Sequence, residues 1–362
     1  MSASRAALPE GQPVTLYAIV PSGPHCTDAL AGLDTIAHDL RTIIAGQYCA
    51  VVSRSSAPDL KGRSREDLGR FLIVHQKVLE QLMRTACVLP VQFGTRMPDK
   101  GIRELLEQGC CLFDAIFSEL RDCTQLEVSV TWDIDAVLAE IAGQEAVVRL
   151  KAQIADNAQG ATTAARLELG RLVKAELERR REALAMHILA VLRAMAIDAI
   201  ACPVAADRVV LHLVLLLKMN ALGEVDRCVE TLDAAYGGGL CFRCVGPMPP
   251  ANFATLAVDL LDGDELEHAG RTLGVALTAG LDDVRSAYRR LARAAHPDAA
   301  DGGNGNAGAM AALSDAYRVL ARYVRAREVD RRSDSEVAAR AMCISIRRQD
   351  AQSGVGPIPG KR

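Results

Sequence analysis

The residues best equipped for chemistry in this 362-residue chain form three small groups. Cys241 and Cys244 make a CxxC pair, the spacing of thiol redox centres and half a zinc site. The segment reads as a strand, where positions i and i+3 point to opposite faces, and no second pair completes a metal site. His75 and Glu80 would offer acid–base chemistry, but i and i+5 do not share a helix face, so His75 reads as a satisfied buried histidine. The third group is the sharpest. Arg285, Arg289 and Arg293 recur at i, i+4 and i+8, with Arg290 alongside, and the tripeptide His296-Pro297-Asp298 follows directly. One helix face thus carries a positive stripe while Val284, Tyr288, Leu291 and Ala295 give the opposite face something to pack. Placed charge of this kind steers encounter and selects partners more than it adds affinity. The Gly-rich Gly237–Gly239 stops a helix before a strand, the wrong order for a phosphate loop. No catalytic residue, cofactor site or metal site is expected, and the chain reads as a non-enzyme.

The elements that must position these groups follow from periodicity. Val14–Val20 reads as a first strand, and the runs from Arg41 to Ser53 meet at Ala45-Gly46 as a hairpin. Leu68, Phe71, Leu72, His75, Val78, Leu79 and Leu82 mark an amphipathic helix. Residues 87–95 are extended around Pro90, 101–120 form one helix, and 126–133 alternate as a strand. From Ile134 to about Ala201 the pattern is helical throughout, and its ELERRRE stretch, Glu176–Glu182, reads as a solvated helix face. Val209–Lys218 is a buried strand, 224–236 a helix and 240–245 a strand. The strand runs into Gly246-Pro247-Met248-Pro249-Pro250, a rigid strand-to-helix turn in which the prolines forbid helix and ladder alike. A linker is expected at 262–270, then a helical hairpin over 281–295 and 309–326.

Composition sets the frame. Half the residues are hydrophobic and only 4% aromatic, so small aliphatic side chains do most of the packing. Residues 1–267 hold 26 Lys/Arg against 35 Asp/Glu, and residues 268–362 hold 16 against 10, an acidic body followed by a basic end. Of that basic excess only +2 falls within 268–330, so there is no broad field to grip nucleic acid. The most apolar window, Val209–Leu217, is less than half a membrane span. Eleven scattered cysteines, an odd number, read as reduced thiols of a cytoplasmic protein.

The C-terminal pattern resembles the J-domain of the DnaJ co-chaperones. The residues that carry it are Leu273-Gly274-Val275, Ala287-Tyr288-Arg289-Arg290-Leu291, His296-Pro297-Asp298 and Ala316-Tyr317-Arg318-Val319-Leu320. The resemblance implies that His296, Pro297 and Asp298 engage an Hsp70 of the DnaK type and stimulate its ATPase, with Arg285, Arg289, Arg290 and Arg293 docking on an acidic surface. Gly270 stands where the family has an aromatic residue, and Ala299-Ala300 replace its Lys-containing segment.

The rest of the chain resembles the gas-vesicle GvpF/GvpL family. The resemblance rests on LYAIVP (Leu16–Pro21), CAVVS (Cys49–Ser53), His75 with Val78-Leu79-Glu80, VLPVQFGT (Val88–Thr95), VTWD (Val130–Asp133) and GPMPPANF (Gly246–Phe253), in the family's order. Met248 and Ala251 depart from it where Trp and an aromatic are usual. The fold implied is α+β, with two ferredoxin-like units joined by a helical segment and a C-terminal all-α hairpin. The expected domains are an extension at 1–13, an α+β domain at 14–133 and a helical connector at 134–205. A second α+β domain at 206–262, the J-domain-like module at 268–328 and a mobile tail at 329–362 complete them. The function implied is that of an accessory or minor structural component of gas vesicles. It would bind the shell protein GvpA and other accessory proteins, assist nucleation or assembly, and prevent aggregation. Two alternatives are a general J-domain co-chaperone whose front half binds clients, and a shell component with a degenerate J hairpin.

Overall fold

The computed structural model describes residues 13–23, 39–54, 62–156, 163–204, 206–295, 307–329 and 340–349. The chain divides into two compact units, Met1–Ala115 with Thr255–Arg347, and Ile116–Ala254 with Arg348–Arg362.

The first unit is built on an antiparallel sheet. Its strands are β1 (Val14–Pro21), β2 (Leu40–Ala45), β3 (Tyr48–Ser53), β4 (Leu89–Pro90) and β5 (Arg96–Met97). The order is β2-β3-β1-β4, with β5 also pairing β1. Gly46 takes the left-handed conformation (φ 58°) in the two-residue loop between β2 and β3, a geometry glycine adopts without steric cost. Helix α1 (Arg65–Met83) starts where Ser64 accepts a hydrogen bond from the Asp67 amide at 3.1 Å. Glu66 and Asp67 in its first turn complement the helix dipole. Its Val78, Leu79 and Leu82 pack against Tyr17, Val20, Cys49 and Val51. Ala50 and Val52, which alternate to the other face of β3, are equally buried. Helix α2 (Asp99–Gln108) packs on β2 and β3 through buried Ile102, Leu105 and Leu106. Instead of one helix over 101–120, α2 ends at Gly109 and α3 (Cys110–Leu120) begins directly after it. A Cβ on Gly109 would lie 2.4 Å from the buried Phe113 ring, so the ring fills the space a side chain would need.

The second unit carries a four-stranded antiparallel sheet of β6 (Cys123–Trp132), β7 (Asp198–Ala201), β8 (Val209–Lys218) and β9 (Leu240–Met248), ordered β7-β8-β6-β9. Leu126, Val128, Val130 and Trp132 share a core with Leu211, Leu213, Leu215 and Leu217. Over that face lie α4 (Ile134–Ala142), α5 (Glu145–Asp156), α6 (Thr163–Arg193) and α7 (Leu222–Ala235). They contribute Ile141, Val147, Leu177, Ile188, Leu192, Val225 and Leu232. Among the described residues no helix is long and apolar enough to cross a membrane.

Several expected boundaries change. β6 is a central strand of the second sheet, paired on both edges, so the break at 133 moves upstream of it. Residues 134–156 and 163–193, expected as a connector, form helices whose Ile141, Val147, Leu177, Ile188 and Leu192 share the core of that sheet. Residues 198–201 pair with β8 as a strand and do not continue the helix. The Gly246–Pro250 turn leads into β10 (Thr255–Asp262), another strand, and not into a helix. β10 itself belongs to the first unit. It pairs along its whole length with β11 (Arg340–Arg347), and the Gln92 amide donates to the Leu256 carbonyl at 2.8 Å. The expected mobile tail therefore contains a strand, and the expected linker at 262–270 is the helix α8 (Gly263–Leu273). The extension at 1–12, the weak point at 157–160 and the tail segments 330–339 and 350–362 lie outside the described residues.

Candidate functional site on the C-terminal helical module

Between β10 and β11 the chain forms α8, α9 (Leu281–Ala295) and α10 (Ala307–Val329). α8 ends in a Schellman arrangement. The Val275 amide reaches back to the Gly270 carbonyl at 3.0 Å, and Gly274 sits at φ 65°. Gly270 is buried beneath this turn. A Cβ there would lie 3.1 Å from the Val275 oxygen, a tight contact. α9 begins where Asp283 accepts from the Gly280 amide at 3.2 Å, half of a capping box. Leu266, Ala269, Leu273, Val284, Ala287, Leu313, Ala316, Leu320 and Val324 form the core of the module.

Burying Val284 and Ala287 turns the other side of α9 outward. Arg285, Arg289, Arg290 and Arg293 are all exposed, and the stripe from Arg285 to Arg293 runs about 12 Å. Arg285 is held in place. It hydrogen-bonds Tyr317 and, at 3.3 Å, Asp282, and these contacts push its already high pKa further up. Tyr317 stacks on Tyr288 with ring centroids 4.8 Å apart. Among the described residues no carboxylate pairs with Arg289, Arg290 or Arg293, so three guanidinium groups are available to a partner. His296, Pro297 and Asp298 lie outside the described residues. Sequence reasoning missed α8, whose signal is the spacing of Leu266, Ala269 and Leu273 on one helix face.

The other singled-out residues lie away from this module. Cys241 and Cys244 pair with Thr131 and Val128 of β6 and are both exposed. His75 is 5% exposed, stacked on Tyr17 at 5.3 Å and edge-on to Phe93 at 5.6 Å. Its ring bonds the Val91 backbone, but Nδ1 is buried with no hydrogen-bond partner. Burial pulls its pKa down from 6.5 to about 4, and the Val91 bond only partly opposes this. Gly246 takes φ 154°, and a Cβ would lie 2.9 Å from the Gln125 oxygen of β6. The ladder skips the Gly246-Pro247 pair, a cis peptide, and resumes at Met248. Pro249 and Pro250 are buried, and the Pro250 carbonyl accepts from the amides of Phe253 and Ala254. In the ELERRRE stretch, Glu176 accepts from Arg179, Gln144 and Arg180, and these contacts hold its carboxyl far below the usual range.

The α+β body and the helical module with its exposed arginine face match two different family models. The one described as gas vesicle synthesis protein GvpL/GvpF matches residues 14–255, and the DnaJ domain model matches residues 271–330. The chain belongs to the GvpL/GvpF family and carries a J-domain. Among solved structures it is similar to the gas vesicle protein GvpF from Anabaena sp. PCC7120. That likeness has 22% identity and a TM-score of 0.55, and covers 67% of this chain and 97% of that one. It is also similar to GvpF from Microcystis aeruginosa, at 20% identity and a TM-score of 0.49, over 66% of this chain and 97% of that one. The first likeness shows the shared fold. Against curated protein sequences the chain has no match.

Proposed function

We propose that the chain is a non-enzymatic assembly factor of gas vesicles. Its GvpL/GvpF body binds the shell protein GvpA and limits its aggregation, and its J-domain brings a DnaK-type Hsp70 to the growing shell. The observation that carries this reading is the presence of both families in one chain, with the arginine face of α9 exposed. An apolar subunit awaiting assembly needs a partner that covers it, and a J-domain on that partner places ATP-driven release where it is needed. The arginine stripe would act mainly on encounter, so its contribution should weaken as salt is raised.

The test is the steady-state ATPase of the cognate Hsp70 with the full chain. Stimulation is expected, with a fall of at least ten-fold for His296→Gln and for the double variant Arg289→Glu/Arg290→Glu, larger at low salt for the latter. Equal stimulation by all three proteins would refute the Hsp70 half. The GvpA half is tested by light scattering of purified GvpA diluted from denaturant. The full chain should suppress scattering in proportion to its concentration, and unchanged scattering would refute it. Suppression of unrelated aggregating proteins to the same degree would favour the general co-chaperone reading.

A further inference from the structure

The second unit carries an open apolar groove between α4 and the first half of α6, with a volume of about 740 Å3. Its floor is Ile134, Leu138, Leu169, Val173 and Leu177, of which only Leu177 is fully buried. Beyond the floor, Leu167 is 56% exposed, so this part of α6 presents more apolar surface than its own fold covers. The rim is charged and uneven. Arg166, Lys174 and Arg181 line it together with Glu178 and Asp207. Lys174 is already paired with Glu178 at 3.8 Å, whereas among the described residues no carboxylate pairs with Arg166 or Arg181. A locally cationic rim thus stands on a body with net charge −9 over residues 1–267.

Gly170 lies in the middle of the groove. It is a glycine inside a 31-residue helix, where alanine would be the better helix former. Among the described residues nothing comes within 4 Å of the place its Cβ would occupy, so no packing among them calls for it. A missing side chain at that point lowers the groove floor and lets another backbone come close. Arg166 and Arg181 are fifteen residues apart, about 22 Å along α6, or four helical turns.

We infer that this groove receives an amphipathic helix of a partner protein. The occupant carries an apolar stripe of about four turns, flanked by carboxylates that reach Arg166 and Arg181. The apolar floor supplies affinity, the two arginines set orientation and sign, and Gly170 sets the distance of approach. This goes beyond the assembly reading and does not depend on it, since it concerns a separate surface and a partner defined only by chemistry.

The probes are two fluorescein-labelled 18-residue helical peptides with the same leucine stripe, one flanked by glutamates and one by lysines. Anisotropy is read with the full chain. The acidic peptide should bind at least ten-fold more tightly than the basic one. Gly170→Trp should weaken it at least ten-fold, and Arg166→Glu/Arg181→Glu should reverse the preference. Gly170→Ala should leave the fold as stable or more stable, by thermal melt, while weakening the peptide modestly. Circular dichroism checks that each variant is folded. Equal binding of the two peptides, no binding of either, or binding unaffected by Gly170→Trp in a folded protein would overturn the inference. So would sedimentation with phosphatidylglycerol vesicles that the same substitutions abolish, which would assign the groove to a membrane surface.

Discussion

His75 shows how one side chain links packing to pH. Its imidazole is neutral in the folded state because a charge enclosed by Tyr17 and Phe93 would lose its hydration with nothing to replace it. In the unfolded chain the ring takes up a proton near its ordinary value of 6.5, while the folded protein resists protonation until about pH 4. The unfolded state therefore binds more protons between these values, and stability falls as pH drops from 6.5 toward 4. The full loss is about 3 kcal/mol, from roughly 1.4 kcal/mol per pKa unit. Replacing His75 by Phe keeps the aromatic contacts and removes the proton site. The gap in urea midpoint between this variant and the parent should widen in the variant's favour from pH 7 to pH 4.5, and a constant gap would refute the assignment.

At the scale of elements, small residues decide where helices stop. The run 101–120 is apolar at helical spacing, and periodicity alone joins it into one helix. It divides at Gly109, where the Phe113 ring occupies the space a side chain would need. Gly109→Ala should cost about 2 kcal/mol, the usual range for overpacking a filled core, seen as a lower midpoint in chemical denaturation. An unchanged midpoint would mean the ring moves freely. Gly270 follows the same logic, since its place under the turn after α8 depends on carbonyl positions no sequence pattern displays. β10 and β11 show the opposite limit. Their pairing across more than seventy intervening residues is a long-range event that no local pattern displays.

At the scale of the whole molecule, the J-domain is an insertion between paired strands. Asp262 and Arg340 are directly opposite one another in the antiparallel register, so the module leaves and returns at nearly one point. Residues 263–339 should therefore be replaceable by an Asn-Gly hairpin turn without unfolding the body. Circular dichroism and a cooperative melt should persist while Hsp70 stimulation disappears. Ending the chain at residue 262 instead leaves β10 without its β11 partner and should produce aggregation. If the excised form also aggregates, the helices are part of the body's own stability.

By itself the sequence determined the mixed α+β composition, the strands and helices with strong periodicity, the arginine stripe and the two family resemblances. These are local facts, set by spacing along the chain. Only the tertiary structure decided that β6 and the helices after it belong to one unit, that β10 and β11 close around the J-domain, and that Gly170 opens into an apolar groove. Each depends on which buried faces meet. Hydrophobic burial has no direction along the chain, so a pattern shows that a face must be covered but not which face covers it.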